Sequence, residues 1–559
     1  MFVAMTGAAG LMASCVSLFD HPDGPLLSDE QMDSLHAVDV LKHGEFRTSP
    51  DITVEEAVER DKGLPPNVLD GDKRIKLTLL ELQRSVVENN LKLKSSYVAP
   101  SISQQLIRYE EGNFDAVVAF SYDYQRSVWE NEYYSDNEML QLETAYNTTL
   151  DGSLEIPLAT GGSITLGNET MVEKEYFDTA STLLYVSFSQ PLLQGGGIDY
   201  NVGKIRLAEY NLGRTTAKTK LAVINALTTA ENTYWQYYAS LQNLGVQQKL
   251  YESSKKVLVD ARAAFEGGLS AKTSVDVAEM TVAQRIRAVI DANNDAVINM
   301  RAMKAIMNRK DMPVDSRIVI EPATHRKLTY FDVDSDKLLS LAMTNRADYI
   351  AYEMQLAAEA ISIDMARNMT LPVVDLEFQY AGMGMSNTYS WADTFKYAVE
   401  NRAEGDVPIE NESLQSPWQI SLNASYPLGN EMAESMLSKR ILERIQTIYQ
   451  KGELKLMIQQ QVLDAVSNRT AYWQEIIAAR REVEFAEKYY KGLQTLFTRQ
   501  LATGTDLKVA MESLSSAQAS LIEAELKYRS ANISLAQSTG TTLGRNQVDW
   551  SNYRETGVE

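Results

Sequence analysis

Two long stretches of the chain contain no proline, and each follows directly on a short segment that is typical of a strand. No proline lies between Pro191 and Pro313, and none follows Pro427. Alanine, leucine, glutamine, lysine and glutamate dominate both stretches and favour helix, which an internal proline would break. We therefore predict two helices in each stretch, at 200–264 and 273–309 in the first and at 430–496 and 505–541 in the second.

The predicted lengths indicate how these helices pack. A helix of about 65 residues is about 100 Å long, whereas the helix that returns from its far end is only about 55 Å long. A further helical segment precedes each pair, at 77–112 and 339–368, and supplies about 45–55 Å more. Helices of this length need lateral packing. We therefore expect two short helices, placed end to end, to cover each long one, which gives four side-by-side columns per chain.

Four segments alternate between apolar and polar residues, as strands with two different faces do. Their sequences are VVAFSYDY (117–124), TLLYVSFSQ (182–190), LPVVDLEFQY (371–380) and WQISLNASY (418–426). Polar loops are predicted between the members of each pair, at 125–181 and 381–416. In the second pair we expect the following polar side chains to share a face that lines water: Asp375, Glu377, Gln379, Gln419, Ser421, Asn423 and Ser425.

Strands of about 9–11 residues have the length that spans a bilayer, and apolar–polar alternation fits a barrel around water. Four strands cannot enclose a useful lumen, and hydrocarbon does not tolerate open sheet edges. At least two chains must therefore contribute, and three chains would give twelve strands. The alternation alone also allows a small soluble sheet with one wet face.

The order helix, strand, loop, strand, long helix, helix occurs twice. Pro191 and Pro427 are 236 positions apart, and Trp235 and Trp473 are 238 apart. A period this long indicates two structural halves rather than a solenoid of short repeats. We expect the first repeat at 77–309 and the second at 339–544. The remaining parts are a leader at 1–15, an extended segment at 16–76, a connection at 310–338 and a tail at 545–559.

Composition excludes several classes of protein. The formal net charge is −22, from 75 acidic and 53 basic residues, whereas a nucleic-acid binder needs a basic surface. The single cysteine rules out an internal disulfide and a cysteine-based zinc site, and the four histidines are scattered. We therefore expect no cofactor, no metal site and no catalytic site. No apolar run reaches the length of a membrane-spanning helix.

The first fifteen residues are small and apolar and end in Leu11-Met12-Ala13-Ser14-Cys15. This ending resembles a bacterial lipobox, in which the cysteine becomes the acylated first residue of the mature protein. The basic residues that usually open such a leader are missing before Cys15. We predict lipidation at Cys15, and an ordinary signal peptide with an incidental cysteine is the alternative.

From about Leu77 to Gly544, the chain resembles the TolC-type outer-membrane efflux proteins. The resemblance rests on the duplicated order of elements and on the exits from strand to helix, QPLLQGGG and YPLG. It also rests on the turns FEGGLSAKTSVDVAEMTVAQ and FTRQLATGTDLKVAMESLSSAQ and on NRADYIAYEMQLAAEAISIDMARNMTLPVVDLEFQY. The resemblance implies a mainly helical trimer with a twelve-stranded transmembrane β-barrel that continues into a long helical barrel in the periplasm.

The resemblance also implies a passive outer-membrane exit duct of a tripartite efflux pump or type I secretion system. Its partners would be a periplasmic adaptor, an inner-membrane transporter and outer-membrane lipid. The family's tip acids correspond to Asp276, Glu279 and Asp506, which would form a periplasmic gate. The docking turns correspond to Gly268, Leu269, Gln500 and Leu501. This sequence departs from the family at Gln500, where glycine is usual, and at Val509, where a second acid could stand.

Other interpretations of these residues remain. Each tip acid could simply complement the dipole at a helix N-terminus. An enzyme would need convergent polar residues, and no nucleophile–histidine or metal-ligand spacing stands out. A coiled-coil scaffold of the cell envelope, without transport activity, would explain the helices, but neither the four two-faced strands nor the lipobox-like start.

Overall fold

The computed structural model describes residues 56, 73–131, 141–174, 178–324, 327–386, 395–396, 398–399, 403–404, 418–499 and 501–548. Internal contacts divide the chain into two units, Met1–Gly63 and Leu64–Glu559. The architecture below belongs to the second unit. Cys15 and the leader around it, most of the segment 16–76, Gln500 and the tail beyond residue 548 lie outside the described residues.

Eight helices of more than ten residues run through the described part of the second unit. They are α1 (Leu79–Asn89), α2 (Leu91–Glu111), α3 (Gly203–Glu266), α4 (Lys272–Met307), α5 (Ser335–Asn345), α6 (Ala347–Asn368), α7 (Glu431–Thr498) and α8 (Gly504–Ser538). The four helices predicted in the proline-free stretches are confirmed as α3, α4, α7 and α8. The two longest, α3 and α7, have 64 and 68 residues.

The two leading helical segments were each predicted as one helix, and this was wrong. The first is interrupted at Asn90, whose side chain accepts a hydrogen bond from the Leu93 N–H at 3.2 Å and so caps a new helix. The second is interrupted at Arg346, whose guanidinium holds Asp348 in a two-bond pair at 2.6 and 3.0 Å. A local side-chain bond therefore lies at the point where the helix restarts in both halves, and only the bond at Asn90 is a cap.

Each long helix is covered by shorter helices that meet end to end, as the lengths predict. At the joint along α3, the Asn90 side chain donates to the Ile306 carbonyl at 3.0 Å. The Asn308 side chain donates in return to the Asn89 carbonyl at 3.1 Å. Further along α3, the Thr219 hydroxyl donates to the Ser96 carbonyl of α2 at 3.0 Å. Helices α4 and α2 therefore follow one another along α3.

A small parallel sheet lies against α3. Strand β1 (Lys73–Leu77) pairs with a strand between α4 and α5, Ile318–Pro322. The fully buried Tyr237 donates to the Ile320 carbonyl at 2.7 Å. The Tyr234 hydroxyl accepts from the Thr324 N–H at 3.0 Å. The hydroxyls of Tyr234 and Tyr237 therefore attach the segment 320–324 to α3, beside a core of leucine, valine and methionine.

The connection into α5 is held by buried polar groups of α7 and α8. Arg469 is almost completely buried and donates to the Phe331 carbonyl at 2.8 Å and to Asn532 Oδ1 at 2.9 Å. The Tyr528 hydroxyl donates to the Thr329 carbonyl at 2.6 Å. Hydrogen bonds from α7 and α8 therefore hold this connecting segment in place.

The large sheet has more strands than the sequence predicts. Its long strands are β2 (Val117–Asn131), β3 (Gln141–Pro157), β4 (Ser163–Lys174) and β5 (Asp178–Pro191), followed, after β6 (Ile318–Pro322) of the small sheet, by β7 (Val373–Ser386) and β8 (Trp418–Ser425). They pair antiparallel in the order β2-β3-β4-β5-β7-β8, and the short piece Ala403–Glu404 lies parallel to the end of β7.

The predicted loop at 125–181 is therefore wrong, and so is the count of four strands per chain. Threonine, asparagine and glycine interrupt the apolar positions of β3 and β4, for example at Thr148, Gly152 and Asn168, and so hide the period of two. The two halves also differ, because the second has no counterpart of β3 and β4 among its described residues. In the predicted loop at 381–416, β7 continues to Ser386, and most of the remainder lies outside the described residues.

Replacing Tyr237 with phenylalanine removes the hydroxyl that donates a hydrogen bond to the Ile320 carbonyl. We expect the local opening free energy of residues 318–322 to fall by about 1 kcal/mol, the usual net value of a buried hydrogen bond. Amide hydrogen exchange of that strand should become about five times faster. Tyr449→Phe, which alters a tyrosine that is 75% exposed, is the control. Unchanged exchange in Tyr237→Phe would contradict this role of the phenol.

Candidate functional site

The register of β7 and β8 defines the two faces of this part of the sheet. Residues that pair across antiparallel strands share a face. The polar face contains the pairs Asp375–Asn423, Glu377–Ser421, Gln379–Gln419 and Val373–Ser425. The seven polar residues chosen from the sequence therefore share one face, and the Ser421 hydroxyl donates to Glu377 Oε2 at 3.1 Å.

The same polar face continues across β5, β4, β3 and β2 and is strongly acidic. Following the register from strand to strand adds these carboxylates to Asp375 and Glu377: Asp123, Asp151, Glu155, Glu169 and Glu173. Among the side chains that the structure describes on this face, none is lysine or arginine. Sequence reasoning missed Asp151, Glu155, Glu169 and Glu173 because it took 125–181 as a loop, and it did not assign Asp123 of the predicted strand 117–124 to this face.

The opposite face is apolar and exposed in the single chain. One row of cross-strand partners runs through all six long strands: Val118, Leu154, Leu166, Val186, Tyr380 and Trp418. Exposure reaches 79% at Val118 and 63% at Leu422. An exposed apolar surface of this extent marks a site of contact with lipid or protein.

The two exits from strand to helix are fixed to the end of α6. After β5, Asn368 Oδ1 accepts from the Gly195 N–H at 2.8 Å, and Gly195 and Gly197 adopt positive φ angles that favour glycine. After β8, the Asn430 side chain donates to the Thr370 carbonyl at 3.0 Å. The sheet is therefore joined to the helices at a hydrogen-bonded seam.

The turns at the far ends of the long helices are tight, and both expose a leucine. In the α3–α4 turn, Gly268 has a φ of 71°, and the Leu269 N–H donates to the Ala264 carbonyl at 2.8 Å. In the α7–α8 turn, the Leu501 N–H donates to the Leu496 carbonyl at 2.8 Å. Leu269 and Leu501 are 64% and 72% exposed.

The first turns of α4 and α8 lie side by side, so the structure brings the predicted tip acids into one region. A Cβ added at Gly504 would lie 3.7 Å from the Ser274 carbonyl oxygen. Asp276 and Asp506 each lie two residues further along their helices, and both are exposed. Behind them a core of Val257, Tyr490, Leu507 and other residues joins α3, α7 and α8.

Two of the three tip acids have local partners. Asp506 forms a capping box with Thr503: its Oδ2 accepts from the Thr503 N–H at 2.9 Å and from the Thr503 hydroxyl at 2.6 Å. These two bonds, the one from the hydroxyl first, lower the pKa of the Asp506 carboxyl. Glu279 pairs with Arg262 at 2.6 Å. Asp506 therefore has a structural role: it caps the N-terminus of α8 together with Thr503.

The described residues show neither a metal-binding cluster nor a helix that could span a membrane. No group of three or more histidine, cysteine, aspartate or glutamate side chains in those ranges is arranged to hold a metal ion. None of the helices within them is both long and apolar enough to cross a membrane.

The chain is similar to known proteins in sequence over part of its length and in fold over most of it. Residues 338–541 match the sequence model of the family described as outer membrane efflux protein. No curated protein sequence is similar enough to this chain to match it.

Solved structures of outer-membrane proteins share the fold. The Campylobacter jejuni channel CmeC is 12% identical, with 89% of this chain and 93% of that chain covered and a TM-score of 0.62. VceC of Vibrio cholerae is 15% identical, with 83% and 96% covered and a TM-score of 0.58. MtrE of Neisseria gonorrhoeae is 14% identical, with 83% and 89% covered and a TM-score of 0.58. At these identities the likeness is one of fold.

Proposed function

We infer that this chain is a member of the outer membrane efflux protein family, whose sequence model matches residues 338–541, and that it is the outer-membrane channel of a tripartite export system. It conducts substrates passively and is not an enzyme. The observation that carries this function is a two-faced sheet, apolar outside and acidic inside, that continues without a break into long helices. A coiled-coil scaffold would have no use for the exposed apolar face.

The sheet of one chain supports assembly with further copies. Among the described strands, β2 pairs only with β3, and β8 pairs only with β7. Unpaired backbone groups are not tolerated in hydrocarbon. Strand β8 runs antiparallel to β2, so β8 of one copy can pair with β2 of the next. The resemblance to the family gives three copies, and we propose a homotrimer whose helices continue the duct into the periplasm.

The exposed leucines at the helix tips support a docking role. Gly268, Leu269, Gln500 and Leu501 would present two turns per chain to the periplasmic adaptor, which joins the duct to an inner-membrane transporter. Leu269 and Leu501 supply the apolar contact, because both are largely exposed in the single chain. The division into repeats at 77–309 and 339–544 is part of the same proposal.

We propose that the tip acids form the periplasmic gate. In a trimer, Asp276, Glu279 and Asp506 would repeat three times around one axis, where like charges repel and bound cations are favoured. Because Arg262 pairs with Glu279, we expect Asp276 and Asp506 to contribute most of the field. The hydrogen bonds from the Thr503 hydroxyl and N–H lower the pKa of the Asp506 carboxyl and so favour its charged form.

Replacing Asp276 and Asp506 with asparagine and Glu279 with glutamine tests the gate. Single-channel conductance in a planar bilayer should rise, or block by hexamminecobalt should weaken, because the repelling and cation-binding charges are gone. The control removes three exposed carboxylates of α7 away from the tip, Glu453, Asp464 and Glu482. Unchanged conductance and unchanged block in the tip variant would refute the gate and leave the duct intact.

Arginine at two neighbouring positions of β8 tests the faces of the sheet. Leu422→Arg places a charge on the apolar face and should cost about 2–4 kcal/mol near the middle of the membrane. Asn423→Arg places the same charge on the polar face and should cost little. The measurement is folding into phosphatidylcholine vesicles as a function of urea. Equal destabilisation by both substitutions would contradict a lipid-facing and a water-facing side.

We propose that Cys15 is acylated and that its lipid anchors the protein to the outer membrane in addition to the sheet. Cys15→Ser should abolish incorporation of radioactive palmitate, while the variant remains in the membrane fraction because the sheet still holds it there. A single lipid chain would bind only reversibly. A mature N-terminus found at any residue other than Cys15 would rule out the anchor.

A further inference from the structure

The hairpin β3–β4 is as tall as the strands on either side of it. Strand β3 pairs with β2 from Val117–Glu155 to Asn131–Gln141 without a gap. Strand β4 pairs with β5 from Ser163–Ser189 to Lys174–Asp178. The hairpin therefore begins and ends at the same levels as β2 and β5. With 17 and 12 residues, its strands exceed the 9–11 residues that cross a bilayer.

The turn of this hairpin is fixed at the helical end of the sheet. The Gly197 N–H, just before the helices begin, donates to the Thr160 carbonyl at 2.9 Å. Gln190, at the end of β5, donates to the same carbonyl at 3.1 Å and accepts from the Thr160 hydroxyl at 2.7 Å. Gly161 has a φ of 89°, and a Cβ there would lie 2.4 Å from the Gly195 carbonyl oxygen.

These contacts exclude an arrangement in which β3 and β4 form a flap beyond the far end of the sheet. The turn lies against the exit from β5 into the helices, so the chain must travel down the full height of the sheet in β3 and back up in β4. The hairpin is therefore inserted into the sheet between β2 and β5.

The outer side of the hairpin continues the apolar face of its neighbours. Leu154 and Leu166 are partners within the row that runs from Val118 to Trp418, and Ile156 and Ile164 are partners in the next row, which reaches Phe188, Phe378 and Ile420. Higher on this face, the buried hydroxyls of Thr170 and Thr182 lie 3.1 Å apart and form a hydrogen bond with each other. That bond satisfies two hydroxyls that are buried within the chain itself.

We propose that β3 and β4 are membrane-spanning wall strands whose outer face packs against lipid acyl chains, so that each chain supplies six wall strands instead of four. This inference rests on the proposed function. Three copies then close an eighteen-stranded barrel, and its diameter is about 1.5 times that of a twelve-stranded one, because diameter grows roughly linearly with strand number. The outer part of the duct therefore admits bulkier solutes.

The inner side of the hairpin lines this wider passage. It carries Asp151, Glu155, Glu169 and Glu173, which is the majority of the carboxylates that the register places on the polar face. The Ser121 hydroxyl of β2 donates to Asp151 Oδ2 at 2.9 Å, which ties the hairpin to its neighbour on the water side as well. A solute in the channel therefore passes an acidic wall over the width that the hairpin adds.

Spin labels on single cysteines test the position of the hairpin in lipid. The full chain with Cys15→Ser as background is reconstituted in phosphatidylcholine bilayers, and one label is placed at each of Leu154, Leu166, Ser153 and Thr165. Ile420 and Ser421 on β8 are the matched references for the outer and inner faces. Collisions with oxygen report hydrocarbon, and collisions with a neutral nickel chelate report water.

We expect the logarithm of the oxygen-to-nickel collision ratio to be positive at Leu154, Leu166 and Ile420. It should be negative at Ser153, Thr165 and Ser421, because those side chains face the lumen. A hairpin that lies in water, or that is covered by a soluble protein, would give negative values at Leu154 and Leu166 while Ile420 stays positive. That outcome overturns the inference and leaves the proposed function standing. A negative value at Ile420 as well would overturn both.

Discussion

The open edges of the large sheet are the constraint on which the rest of the structure depends. Strands β2 and β8 end the sheet with rows of backbone N–H and C=O groups that no strand described in the same chain pairs. Such groups are costly in hydrocarbon and invite aggregation in water. The sheet also exposes a broad apolar face. Both problems are solved together if copies of the chain pair edge to edge and turn the apolar face towards lipid.

In the proposed duct the helices continue the passage inward, and short polar contacts hold them to the sheet and to each other. Asn368 and Asn430 fix the two exits from strand to helix. The hydrogen bonds that the Asn90 and Asn308 side chains donate to backbone carbonyls join α4 to the leading helices of the first half. A column assembled from two short helices thereby acts as the partner of one long helix.

The sequence predicted the parts of this architecture that depend on local pattern. The starts and ends of α3, α4, α7 and α8 follow from the absence of proline and from helix-favouring composition, and the shared face of β7 and β8 follows from strict alternation. Thr503 and Asp506 are three positions apart, which is a spacing typical of a capping box, so that contact could also have been found in the sequence.

The remaining features depend on partners far away in the chain. Strands β3 and β4 place threonine, asparagine and glycine at outward positions, where the fixed turn at Thr160 and Gly161 and the neighbouring strands compensate for weak alternation. The acidic character of the whole inner face appears only when the register of all six strands is known. Glu279 pairs with Arg262, seventeen residues before it, across a turn. No spacing rule predicts that ion pair.

We infer that one chain cannot form the duct alone, because the edges of β2 and β8 need partners. The mass of the assembly is the decisive measurement. The protein should be extracted from membranes in mild detergent or in lipid nanodiscs and weighed by native mass spectrometry. We expect a complex of three chains that persists in detergent, because separation would expose the edges of β2 and β8. A stable monomer that remains folded in detergent would contradict it.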